Sequence, residues 1–147
     1  GLIKQVLLTG SNVTITTEGA GSDQGNDIGD INFRADLLFD DDDGALPSTE
    51  ATLTLLAANN LTIGFIDPNA DIIDGDIING ATDFTLNLDF RANADQPEKD
   101  ADEGARGNEY FGDLNLIGEI HTGGGSADLS GVNVTLHNEI TTGGRSA

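Results

Sequence analysis

Oxygen-bearing side chains at alternate positions are the part of this chain best suited to chemistry, and that chemistry is cation binding. Asp67, Asn69 and Asp71 are spaced by two, and Asp74 and Asp76 follow closely. Calcium takes about six to eight oxygen ligands, and an alternating Asp/Asn loop starts such a cage. These five residues are therefore the candidate calcium site. The match to an EF-hand loop goes no further, since its glycine position holds Ile72 and its closing glutamate position holds Ile78. The competing reading is a polar turn in which Asp and Asn side chains cap nearby backbone groups.

The other acidic stretches carry less pattern. Asp40-Asp41-Asp42-Asp43 and the run from Asp95 to Glu103 are dense in carboxylates, as solvated, self-repelling loops usually are. Gly25-Asn26-Asp27-Ile28-Gly29-Asp30 hints at the calcium-binding nonapeptide of toxin-type β-rolls, but the repeated Gly and Asp spacing is missing and a turn is expected. A carboxylate pair could hydrolyse a glycosidic bond, yet nothing selects one pair from 26 acidic residues, and an aromatic groove for sugar is hard to build from one Tyr and no Trp. Cysteine is absent, which removes thiolate chemistry and disulfides together. Of the two histidines, His121 occupies a position that a second copy of its repeat fills with Thr141, as expected of an interchangeable outward site. No catalytic constellation emerges, and the expected role is not enzymatic.

That repeat dominates the architecture. Glu119-Ile120-His121-Thr122-Gly123-Gly124-Gly125-Ser126-Ala127 returns as Glu139-Ile140-Thr141-Thr142-Gly143-Gly144-Arg145-Ser146-Ala147, identical at seven of nine positions and displaced by twenty residues. Short β-type segments and Gly turns recurring at a fixed offset are expected when each repeat is one layer of a coil stacked on the layer before it, a β-solenoid. At about 20 residues per layer the 147 residues would make roughly seven turns, on the order of 35 Å of column.

Period-two alternation supports strands throughout. Val13 and Ile15, Ile31 and Phe33, Leu53 and Leu55, Leu61, Ile63 and Phe65, Phe84 through Phe90, Leu114 and Leu116, and Val132, Val134 and Leu136 each fall on one face, with Thr, Asn and Asp opposite. Helix is expected to be incidental. Asn12, Asn60 and Asn133 head formal glycosylation sequons, but they read better as the polar half of the strand pattern. Two stretches break the rhythm, 39–50 and 91–112, and are expected to be acidic loop insertions in a single solenoid segment spanning 1–147. The chain opens on Gly1 and its last repeat runs to the final residue, as expected of a piece of a longer protein.

Net charge bounds the partners. With 26 acidic and 6 basic side chains the chain carries −20, which repels nucleic-acid phosphates and anionic lipid headgroups and favours divalent cations. No window is apolar for long enough to span a bilayer as a helix.

The phrases Gly10-Ser11-Asn12-Val13-Thr14-Ile15-Thr16-Thr17, Gly29-Asp30-Ile31-Asn32-Phe33, Ala51-Thr52-Leu53-Thr54-Leu55, Asn60-Leu61-Thr62-Ile63-Gly64 and Val132-Asn133-Val134-Thr135-Leu136 resemble the repeat region of filamentous haemagglutinin-type exoproteins, the adhesins of bacterial two-partner secretion. The likeness covers about two thirds of the chain, and the N-terminal secretion domain of such exoproteins is not evident in it. The resemblance implies a right-handed parallel β-helix, an extracellular or cell-surface location, and a shaft presenting binding surface to host or neighbouring-cell ligands. Exposed strand edges at the ends of such a column would meet adjacent segments or copies of the same chain. Two rivals remain: a self-assembling fibre subunit in which the strand Leu2 to Thr9 completes a neighbour, and a polysaccharide-active enzyme on the same helix.

Overall fold

The computed structural model describes residues 2–17, 30–43, 49–57, 59–67, 72–92 and 112–142. Its first element is a helix, α1 (Leu2–Leu8), and strands follow. They are β1 (Val13–Thr16), β2 (Ile31–Phe33), β3 (Leu37–Phe39), β4 (Thr49–Leu56), β5 (Leu61–Ile63), β6 (Phe65–Asp67), β7 (Ile72–Asp74), β8 (Ile77–Asn79), β9 (Phe84–Arg91), β10 (Leu114–Leu116), β11 (Ile120–His121), β12 (Ala127–Ser130), β13 (Val134–Leu136) and β14 (Ile140–Thr141).

The fold is all-β apart from α1 and a 3-10 turn at Asp41–Asp43, and its strands lie in parallel sheets. Three sheets have four strands each, in the orders β1-β4-β9-β12, β2-β5-β10-β13 and β3-β8-β11-β14. Followed along the sequence, the chain passes through the three sheets in the same order four times. Each circuit hydrogen-bonds onto the one before it, with strands of adjacent circuits parallel and in register.

The twenty-residue repeat is the last of these layers. Leu114 pairs with Val134 and Ile120 with Ile140, each twenty positions along. Earlier circuits are longer: Ile31 pairs with Leu61 and Leu61 with Leu114. The described residues therefore make four circuits, not seven, because each earlier circuit takes up more than twenty residues of chain. One departure is fully bounded. From Ile63 to Ile77 is fourteen positions, whereas the register-equivalent Leu116 to Ile120 is four, and the ten extra residues are the segment 65–74 holding the antiparallel pair β6·β7. Gly64 and Gly75, its two stems, nearly touch: a Cβ on Gly75 would lie 2.3 Å from the Gly64 Cα. Gly75 also holds φ +87°, so both space and backbone demand glycine. The expected insertions 39–50 and 91–112 share their edges with β3, β4 and β9, and their interiors, 44–48 and 93–111, lie outside the described residues.

Alternation becomes burial because one face of the strands in the three parallel sheets points into the column. β4 and β9 bury every second residue, and in register Ala51 meets Leu86, Leu53 meets Leu88 and Leu55 meets Phe90. The second sheet stacks Ile31, Leu61, Leu114 and Val134, and the third stacks Leu37, Ile77, Ile120 and Ile140. Like shapes are thus placed one strand spacing apart, about 4.8 Å, in rows through the interior.

The N-terminal segment departs from expectation. Leu2–Leu8 is a helix and not a strand. Ile3 and Leu7 lie four positions apart and so share a helical face; Leu7 is fully buried, and Ile3 and Leu8 pack partly against the core. The helix closes with hydrogen bonds from Thr9 N–H to Val6 O and from Gly10 N–H to Leu7 O. It lies against β1, β3 and β4, covering the first circuit. A single helix of seven residues is too short for its period to stand out in the sequence.

Candidate functional site

Polar side chains organise the corners of the column. Asp30 Oδ1 accepts from Asn60 N–H, and Asn60 Oδ1 in turn accepts from Asp113 N–H one circuit on. Asn133 Nδ2 donates to Asp113 Oδ1, which extends the ladder to the fourth circuit. Asn12 Oδ1 accepts from Thr52 N–H, and Asn87 Oδ1 from Ser126 N–H. At corners the strand ladders lapse and leave N–H groups unpaired, and a short Asx side chain from the preceding layer satisfies them. Of the three sequon asparagines, Asn12 and Asn60 serve as such brackets, while Asn133 donates to the Asp113 carboxylate of the layer before it.

The candidate calcium ligands are distributed by the same logic. Asp76 belongs to a bracket: its N–H donates to Asp36 Oδ1 and its own Oδ1 accepts from Glu119 N–H, both at 2.9 Å. That carboxylate is thus engaged in stacking, as the capping alternative requires. Asp67 closes β6 and Asp74 closes β7, with Asp67 opposite Ile72 and Asp74 opposite Phe65. Asn69 and Asp71 lie outside the described residues.

The described residues bring together a different group. Glu119 and His121 flank Ile120 on the third circuit, and Glu139 precedes Ile140 on the fourth. His121 Nε2 lies 3.1 Å from Glu119 Oε2 and 3.8 Å from Glu139 Oε1. Ligand atoms of all three residues fall within 4.8 Å of one another. The histidine and Glu119 side chains are each 33% exposed, and Glu139 is more open. The Nε2 atom itself is shielded from solvent and makes no hydrogen bond, because the nearby carboxylate stands off the direction of a ring N–H. The sequence carried the signal: the twenty-residue repeat stacks Glu119 on Glu139, and the two-residue period puts His121 on their face. Comparing His121 with Thr141 made the position look interchangeable, whereas its neighbours, not its substitution, give it chemistry.

The two ends of the column differ. α1 covers the first circuit, while β13 is exposed along its length, with Val134 46% and Leu136 53% accessible. Val132 adds to the same apolar rim.

No helix among the described residues is long and apolar enough to cross a membrane. Comparison of the chain with protein families, with curated proteins and with solved structures returned no match.

Proposed function

We propose that this chain is a shaft segment of a bacterial surface-exposed or secreted adhesin, its circuits forming the rungs of a right-handed parallel β-helix. The observation that carries the reading is the in-register stacking of four circuits on one core. A column of this kind grows in one dimension: each further layer adds about 4.8 Å of height and leaves the layers below unchanged. Its work is extension and presentation. The surface charge of −20 keeps neighbouring shafts apart and in solution.

The open rim of the fourth circuit supports the matching expectation about partners. The β12, β13 and β14 edges, unpaired among the described residues, lie over the partly accessible apolar residues Leu129, Val134 and Leu136 and are the place for an adjacent segment or a second copy to stack. The reading with an exchanged N-terminal strand draws no support from α1, which is helical and packed on its own core.

Immunogold labelling of intact cells, paired with electron micrographs of the purified protein, tests the proposal. Labelled thin rods at the cell surface, lost together with adhesion when the gene is deleted, are the expected result. Label confined to the cell interior, or turnover of a polysaccharide by the purified chain, would overturn it.

A further inference from the structure

We propose that Glu119, His121 and Glu139 form a binding site for a divalent first-row transition ion, with zinc as its probe, that ties the fourth circuit to the third. The site does not depend on the shaft function. In-register stacking sets the two glutamates one strand spacing apart, about 4.8 Å, where like charges repel. The imidazole nitrogen between them is hidden from water, makes no hydrogen bond, and faces two carboxylate oxygens at 3.1 and 3.8 Å. A cation bound by all three atoms relieves the repulsion and satisfies the nitrogen at once.

The donor set selects the metal. Zinc–ligand distances of about 2.0–2.2 Å place the donors of one tetrahedron about 3.3 Å apart, and the two distances from Nε2 bracket that value. One imidazole with two carboxylates suits zinc and its neighbours, whereas calcium prefers an all-oxygen cage with more ligands. Two ligands come from the third circuit and one from the fourth. A bound ion therefore bridges layers at the end of the column where no further strand among the described residues holds them.

The repeat supplies its own control, because the fourth circuit carries Thr141 where the third carries His121. His121→Thr places a residue the fold already accepts there, and Glu139→Gln removes one charge at an exposed position. Titration of the intact chain with zinc in the presence of excess calcium should show one equivalent bound. Either substitution should weaken that binding by at least about tenfold, while His137→Thr, at the other, exposed histidine, leaves it unchanged. Cobalt should give the absorption of a low-coordinate mixed nitrogen–oxygen site, and zinc should slow amide exchange in β11 and β14. Absence of a stoichiometric site, displacement by calcium, or equal binding by His121→Thr would each overturn the proposal and leave a histidine resting between two surface carboxylates.

Discussion

The first and last circuits are built from the same kind of strand, yet their apolar residues have opposite fates. Leu114 and Leu116 in the third circuit are fully buried; their register partners in the fourth, Val134 and Leu136, are about half exposed. At the other end the first circuit keeps Ile31 and Leu37 buried, and α1 packs on β1 and on β3, the strand of Leu37. Sequence pattern alone does not decide burial in a stacked fold. The next layer does, and here one end has a helix for that layer while the other has none among the described residues.

Several substitutions would break or sharpen this contrast. The largest effect is expected between the ends, at Asn79, a buried side chain whose Nδ2 donates to Phe84 O and Thr122 O and whose Oδ1 accepts from Ala81 N–H. Asn79→Ala strands three backbone groups and should cost about 4 kcal/mol in chemical denaturation. A loss below 1 kcal/mol, on the order of one ordinary hydrogen bond, would mean the corner repacks or takes in water. Next comes the covered end: Leu7→Ala removes the anchor of α1 and should cost about 2–4 kcal/mol, with faster amide exchange in β1 and β3.

At the open end the damage should stay local. A Cβ on Gly125 would lie 1.9 Å from Leu86 O, so Gly125→Ala forces the fourth circuit off the third. Hydrogen exchange should show lost protection in β12 to β14 while β4 and β9 keep theirs, because a one-dimensional stack frays from its end. Protection lost throughout would show that the fourth circuit is integral to the fold. Leu136→Ala, by contrast, should change stability by no more than about 0.5 kcal/mol. The smallest effect is general: added salt screens the surface carboxylates and should raise the melting temperature by a few degrees without favouring either end.

Much of this was legible in the residues. Alternation marks the inward rows, because it reflects the two-residue period of the strand, and the Glu119–Ala127 repeat gives the chain length of the last layer. What stayed hidden depended on contacts between distant parts of the chain. Phe65 continues the alternation of Leu61 and Ile63, yet it opens the β6·β7 hairpin and sits only partly covered, with the Arg34 guanidinium 5.4 Å over its ring. Asp76 stands among acidic neighbours in the sequence, whereas the partner of its carboxylate in the fold is Glu119 N–H, forty-three residues away. The Glu119, His121 and Glu139 group required knowing which residues stack, and the layer count required knowing how many residues separate register partners in each circuit.

The touching stems at Gly64 and Gly75 carry a practical consequence. A loop that departs and re-enters the wall at one point exerts no leverage on the rows behind it, so its outer tip can be rewritten or lengthened while the pitch stays constant. Decoration and scaffold are thereby uncoupled, and a foreign peptide grafted between residues 67 and 72 should be displayed at the side of the column without altering its gauge.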